Sequence, residues 1–178
     1  MKKTTLYKLY ALIVAALLIG FDQLTKWLGS TSPIKLGETL SLIKIGNTEV
    51  LNLTHHHNTG ASFGIFQGKT TMLVIVTLLI QIGLIAYVVI KKNLSKSALW
   101  ALTLIISGGF GNMIDRVFKD GKVVDFIDFR FIQFPIFNVA DICVVVGSAL
   151  LIISIIIEEV NLRKAEKKLA KEQRGLSK

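Results

Sequence analysis

Residues Thr70–Ile90 read TTMLVIVTLLIQIGLIAYVVI, 21 residues without a charge and with one strongly polar side chain, Gln81. An α-helix rises about 1.5 Å per residue, so a run of this length crosses the roughly 30 Å hydrocarbon layer of a bilayer. A soluble core helix keeps a polar face, and this run has none. The stretch therefore reads as a membrane span, and lipid becomes the solvent for the rest of the chain.

Working outward, three further stretches suit the same solvent. Residues 9–28 hold an apolar run from 11 to 21, followed by Asp22 and Lys26. Residues 98–114 are shorter and carry Ser107, Gly108, Gly109 and Gly111. Residues 139–157 contain one charge, Asp141, near their start. The composition agrees: of 178 residues, 52% are hydrophobic and 19% charged, with a mean hydropathy of +0.59. That is too little charge to cover a soluble surface, and it excludes a disordered chain. The lone Cys143 excludes an intramolecular disulfide framework and a cysteine-only metal cage.

The first span competes with a cleaved signal peptide, since Lys2, Lys3 and Lys8 precede its apolar run. No small-x-small pattern follows, and residues 21–24 continue the helical pattern, so a retained span is expected. Basic residues set the orientation. The amino terminus, the connection after the second span and the tail after residue 157 hold 13 of the 21 Lys and Arg. Those short segments are expected in the cytoplasm, with both termini there. The net charge of +9 is then an orientation signal, and nucleic-acid binding loses its support. The tail 158–178 is expected to continue as a solvated, charged helix.

Residues 29–69 and 115–138 fall on the outer side. Residues 40–45 and 50–54 are strand-like runs joined around Gly46 and Asn47. Residues 60–66 read as a short interfacial helix or wedge with Phe63 and Phe66 in the headgroups. The expected fold is an all-α membrane protein: a four-helix transmembrane bundle with a small extracytoplasmic sheet, one domain over residues 1–178.

Five aspartates gather at the outer boundary: Asp22, Asp115, Asp125, Asp128 and Asp141. A carboxylate at the edge of hydrocarbon is costly, so it has a partner or a task. Asp141 lies three residues after Asn138, the spacing of a capping box. Asp22 and Lys26 are four apart, the spacing of an intrahelical ion pair. Asp115 closes a helix, where the dipole disfavours an anion, so a structural role is expected, with Arg116 neutralising it or binding elsewhere in the site. Asp128, beside Arg130, reads as a loop charge that is solvated or locally paired. Asp125 sits in the apolar run 123–127, where desolvation favours the protonated acid, whereas helix-terminal donors favour charge at Asp141. Two carboxylates with opposed environments can share a proton, activate water and protonate a leaving amine.

Other chemistries are weaker. His55, His56 and His57 are consecutive and do not point to one centre, and no H-E-x-x-H helix exists, so no metal and no cofactor are expected. Ser62 with Lys26 or Lys69 has no supporting motif. Cys143 lies within a span, where a thiol is inert packing. The glycines 108, 109 and 111 suit close helix packing better than phosphate binding.

Taken together, five segments resemble the lipoprotein signal peptidases (signal peptidase II), the bacterial membrane aspartic peptidases. They are Asp22-Gln23-Leu24-Thr25-Lys26, Asn58-Thr59-Gly60-Ala61-Ser62-Phe63-Gly64, Gly111-Asn112-Met113-Ile114-Asp115-Arg116, Val124-Asp125-Phe126 and Phe137-Asn138-Val139-Ala140-Asp141. They come in the family's order, with Ser62 where alanine is common. The resemblance implies that Asp125 and Asp141 form the catalytic pair. It also implies that Asp22, Lys26, Asn58, Gly60, Asn112, Arg116, Asn138 and Ala140 shape the site, with Asp115 a supporting acid. It further implies a monomeric enzyme of the bacterial cytoplasmic membrane. Its substrates would be prolipoproteins whose cysteine carries diacylglycerol, cut just before that cysteine. The competing class is a small proton- or ion-coupled transporter, which calls for acids spread through membrane depth; a scaffold subunit needs no carboxylate pair at all.

Overall fold

In lipid every backbone polar group has to be satisfied within its own segment, so apolar runs of this length become helices. The computed structural model describes residues 3–31, 34–60 and 65–176, with side chains described as far as 170. Its elements are α1 (Lys3–Thr31), β1 (Thr39–Ile45), β2 (Thr48–Asn58), α2 (Thr70–Ile90), α3 (Lys96–Phe118), β3 (Val123–Phe129) and α4 (Val139–Leu176). All four helices are long and apolar enough to cross a membrane. Beyond the span α4 continues to Leu176, and its residues 158–170 are exposed, as the charged composition predicts.

The bundle is organised around α3, whose buried residues are mostly small: Ala98, Ala101, Thr103, Ser107, Gly108 and Gly111 among them. Small side chains let helix backbones approach closely, which is how helices associate when lipid removes the hydrophobic drive. At Gly108 a Cβ would strike the Ala140 carbonyl oxygen and Val144, and at Gly147 it would meet the Ala101 carbonyl oxygen at 2.8 Å. The glycines thus serve packing of α3 against α4, as expected. Helix α2 docks mainly on α3, and Gln81, its one buried residue, fills the space a side chain at Gly109 would need. Many of its apolar side chains, such as Leu79, Ile82 and Val89, are exposed and suit lipid.

One end of the bundle is held by polar contacts. Lys8 Nζ donates to the carbonyls of Val89 and Lys91, closing the C-terminus of α2. Ser95 caps α3 by accepting from the Ala98 amide, and Ser97 and Ser154 share a 2.8 Å hydrogen bond between α3 and α4.

The sheet lies at the other end, in the order β1-β2-β3, antiparallel throughout. Ile45 pairs with Thr48, so Gly46 and Asn47 form a two-residue turn, and Gly46 supplies the positive φ of 60° such a turn needs. The hairpin falls where the sequence places it, but β2 runs past residue 54 through all three histidines to Asn58. A register shift between Leu53 and His56 sets His56 opposite Asp125 and Asn58 opposite Val123. Asp128 departs from expectation: it lies on β3, not in a loop, and is buried. Of the two states expected of it, solvated or locally paired, it takes the second: it is paired at 2.8 Å with Arg130 Nε and accepts from Thr54 Oγ1 at 2.6 Å. Of the expected interfacial helix, residues 61–64 lie outside the described residues, and 65–68 form a turn in which Phe66 has φ of 59°.

Candidate active site

Asn138 and Asp141 open α4 as a reciprocal capping box. The Asp141 amide donates to Asn138 Oδ1 at 3.0 Å, and the Asn138 amide donates to Asp141 Oδ2 at 3.1 Å. Each satisfies a donor that the first turn of a helix leaves unpaired. The capping reading is therefore right, and it does not compete with a functional one. The cap leaves Asp141 Oδ1 to the Asn112 side chain, whose Nδ2 donates to it at 2.8 Å.

Asp125 reaches the same place from β3. Asn138 Nδ2 donates to its Oδ1 at 2.6 Å, and Asn58 Nδ2, from the end of β2, donates to its Oδ2 at 3.0 Å. One asparagine thus touches both carboxylates: its side chain holds Asp125, and its backbone holds Asp141. Burial, with the charge of Asp141 beside it, pushes the Asp125 carboxyl up to about 7, against the pull of the two amide hydrogen bonds. The contrast expected between the acids is softer than the sequence suggests, because Asp125 also accepts two hydrogen bonds.

Beneath the pair lies a buried charge cluster. Lys26 is fully buried and ion-paired with Asp22 at 2.9 Å and with Asp115 at 3.3 Å. Its Nζ also donates to Asn112 Oδ1 at 2.9 Å and to the Gly111 carbonyl at 3.3 Å. The Asp22–Lys26 pairing follows its i,i+4 spacing. Asp22 then uses its other oxygen to accept the Ala140 amide at 2.8 Å, tying α1 to the first turn of α4. Gly111 has to be glycine here, since a Cβ would lie 2.6 Å from Asp22 Oδ2.

Asp115 is paired with Lys26 and with Lys119 at 2.9 Å, and it accepts the Val124 amide at 3.1 Å. It anchors the start of β3, which fits the supporting role expected of it. Arg116, of its two expected places, takes the one elsewhere in the site. Its Nη2 donates to the Gly60 carbonyl at 2.7 Å, while Asn58 Oδ1 accepts the Gly60 amide at 2.9 Å. The two ends of the residue 58–60 turn are so fixed to the same cluster as Asp125.

The structure therefore brings together all eleven residues singled out from the sequence. Two contributors were missed. Lys119 is four residues after Asp115 on one helix, and that spacing was a readable signal. Gln23 donates to Gly111 O at 3.0 Å and Asp22 Oδ2 at 3.2 Å; its place inside the quoted segment 22–26 was the signal that could have found it. The histidines do not form a common centre: His55 is buried, His56 exposed and His57 intermediate, and among the described residues no group of three ligand-type side chains suits a metal.

Comparison with known proteins gives a concordant result. A family model described as signal peptidase (SPase) II matches residues 14–157. A lipoprotein signal peptidase of Shouchella clausii is 42% identical over 156 residues, 87% of this chain and 98% of that one. One from Brevibacillus brevis is 37% identical over 146 residues, covering 82% and 94%. A solved bacterial membrane enzyme, determined by the in meso method at 2.3 Å, superimposes with a TM-score of 0.77 at 36% identity, covering 85% of this chain and 90% of that one.

Proposed function

The chain belongs to the signal peptidase II family, and we propose on that premise that Asp125 and Asp141 are its catalytic pair. As a member it is a membrane peptidase that removes signal peptides from prolipoproteins. The observation that carries the residue assignment is the double contact of Asn138 with both carboxylates.

The geometry suits one shared proton. Asp125, raised to about 7, holds the shared proton and donates it toward the scissile carbonyl, while Asp141 takes a proton from the attacking water. The tetrahedral intermediate then collapses as the new acid at Asp141 protonates the departing amine and one gem-diol hydroxyl returns its proton to Asp125, restoring the singly protonated pair. Asn58, Asn112 and Asn138 keep both carboxylates in register, and Lys26 supplies a fixed positive charge that both acids feel. No metal or nucleophilic side chain has a part in this scheme.

In the same reading the substrate cysteine is already diacylglycerylated and cleavage falls just before it. Its acyl chains remain in the bilayer and deliver the amide to the helix ends where the carboxylates sit. The sheet end is extracytoplasmic, supported by the concentration of Lys and Arg at the opposite end and in the tail. The test is side-by-side cleavage of a diacylated and a non-lipidated precursor by the purified protein. Faster cleavage of the diacylated form is expected; equal rates would overturn the lipid requirement.

A further inference from the structure

Between the sheet and the last turns of α1 lies a cavity of about 240 Å³, lined by Leu28, Gly29, Ile34, Leu53, His55 and Phe126 among others. Asp125 and the capping box are not among its lining residues, so it is separate from the carboxylate pair. His55 is the feature that needs an explanation. It is only 8% exposed, yet neither ring nitrogen has a hydrogen-bond partner. Its neighbour His57 meets it edge-on, with ring centroids 5.1 Å apart, which is a packing contact. An imidazole carries at least one N–H donor at neutral or acid pH, and a buried donor without an acceptor has lost its water without replacement, which is costly. The remaining wall is mostly apolar, and its two hydroxyls already donate elsewhere, Thr25 Oγ1 to the Asp22 carbonyl and Thr54 Oγ1 to Asp128, so His55 is the lining donor left without an acceptor.

Its size and its mouth narrow the occupant. Drug-sized ligands fill pockets of about 300–1,000 Å³, more than is present here. Leu28 both lines the cavity and is 53% exposed, and its neighbours Leu24 and Trp27 are exposed as well. These are large apolar side chains on a membrane-spanning helix, so the cavity opens toward lipid and is filled from the bilayer side. We propose that it binds one acyl chain of a glycerolipid, with the ester carbonyl accepting a hydrogen bond from His55. Two sources share this chemistry, a bilayer phospholipid and the diacylglyceryl group of the substrate; only the second rests on the function proposed above.

Photocrosslinking with full-length protein in vesicles separates them. One arm uses phosphatidylglycerol bearing a diazirine on its acyl chain, without substrate. The other uses a diacylated prolipoprotein bearing the same group, with Asp125→Asn protein to prevent turnover. Crosslinks in residues 25–34 or 51–57 are expected from at least one probe, and the arm that gives them names the source. Crosslinks confined to the exposed faces of α2 and α4 in both arms would overturn the proposal, whatever the enzyme's activity. His55→Phe, which fills the space and removes the donor, should lower cavity labelling roughly three- to tenfold, and His55→Gln, which keeps a donor, should retain it. Unchanged labelling in His55→Phe would also overturn it. The wild-type map decides the matter even where that variant fails to fold.

Discussion

Asn138 Nδ2 lies 2.6 Å from Asp125 Oδ1, a contact between the first turn of α4 and the middle of β3. It makes the cap of a membrane helix a positioning device for a strand carboxylate. Asn138→Ala should lower kcat for prolipoprotein cleavage by about 10²-fold with little change in KM, because a displaced carboxylate fails in the transition state more than in binding. Steady-state kinetics on a diacylated precursor checks this; a change in KM alone would assign Asn138 to substrate binding.

Asp125→Asn and Asp141→Asn should each reduce kcat by roughly 10³-fold or more, with the double variant no worse than the poorer single one. Groups that act as a unit fail together. Additive losses would mean the two acids work independently.

The pH dependence has a definite sign. Asp125 has to be protonated to donate, so kcat/KM should fall as pH rises through about 7. The same raised value affects stability. The folded state holds a proton there that the unfolded state, near 3.8, releases, so stability is lost as pH climbs from about 4 to above 7. Asp125→Asn should therefore be more stable than wild type at pH 8, by up to about 4 kcal/mol, and melt higher, with the gap closing at pH 4. Thermal unfolding in detergent at the two pH values measures it.

Lys26→Met should be strongly destabilising, by about 3–5 kcal/mol, since it strands Asp22 and abandons one partner of Asp115 in a site closed to water. Its effect should appear in thermal unfolding before any kinetic assay. A variant as stable as wild type would contradict the buried cluster.

Gly111→Ala and Gly83→Ala offer a matched contrast. At 111 the new methyl meets Asp22 Oδ2 at 2.6 Å and Ala140 Cβ at 3.0 Å; at 83 nothing lies within 4 Å. The first should lose both activity and stability, and the second should behave as wild type or better.

Hydropathy makes the spans legible because lipid imposes one simple demand on every residue of a helix. Local spacing reveals the Asp22–Lys26 pair and the Asn138–Asp141 cap for the same reason: each is settled within one turn. The register of Asn58 against Val123, the burial of Asp128 and the Asp22–Ala140 contact across 118 residues depend on which elements meet. No periodicity encodes that. Asp128 shows the limit well, since its flanking Phe129 and Arg130 look like a loop until Thr54 arrives from another strand.

The i,i+4 pairing of Asp22 with Lys26 also bears on how the chain enters the bilayer. A lone aspartate or lysine raises the barrier to leaving the translocon, whereas an adjacent opposite pair partitions as a neutral dipole. Helix α1 can accordingly be released into lipid before α3 is synthesised, with its two buried charges already paired within one turn. When Asp115 and the Gly111 carbonyl arrive, they find a lysine whose first partner has kept it in place.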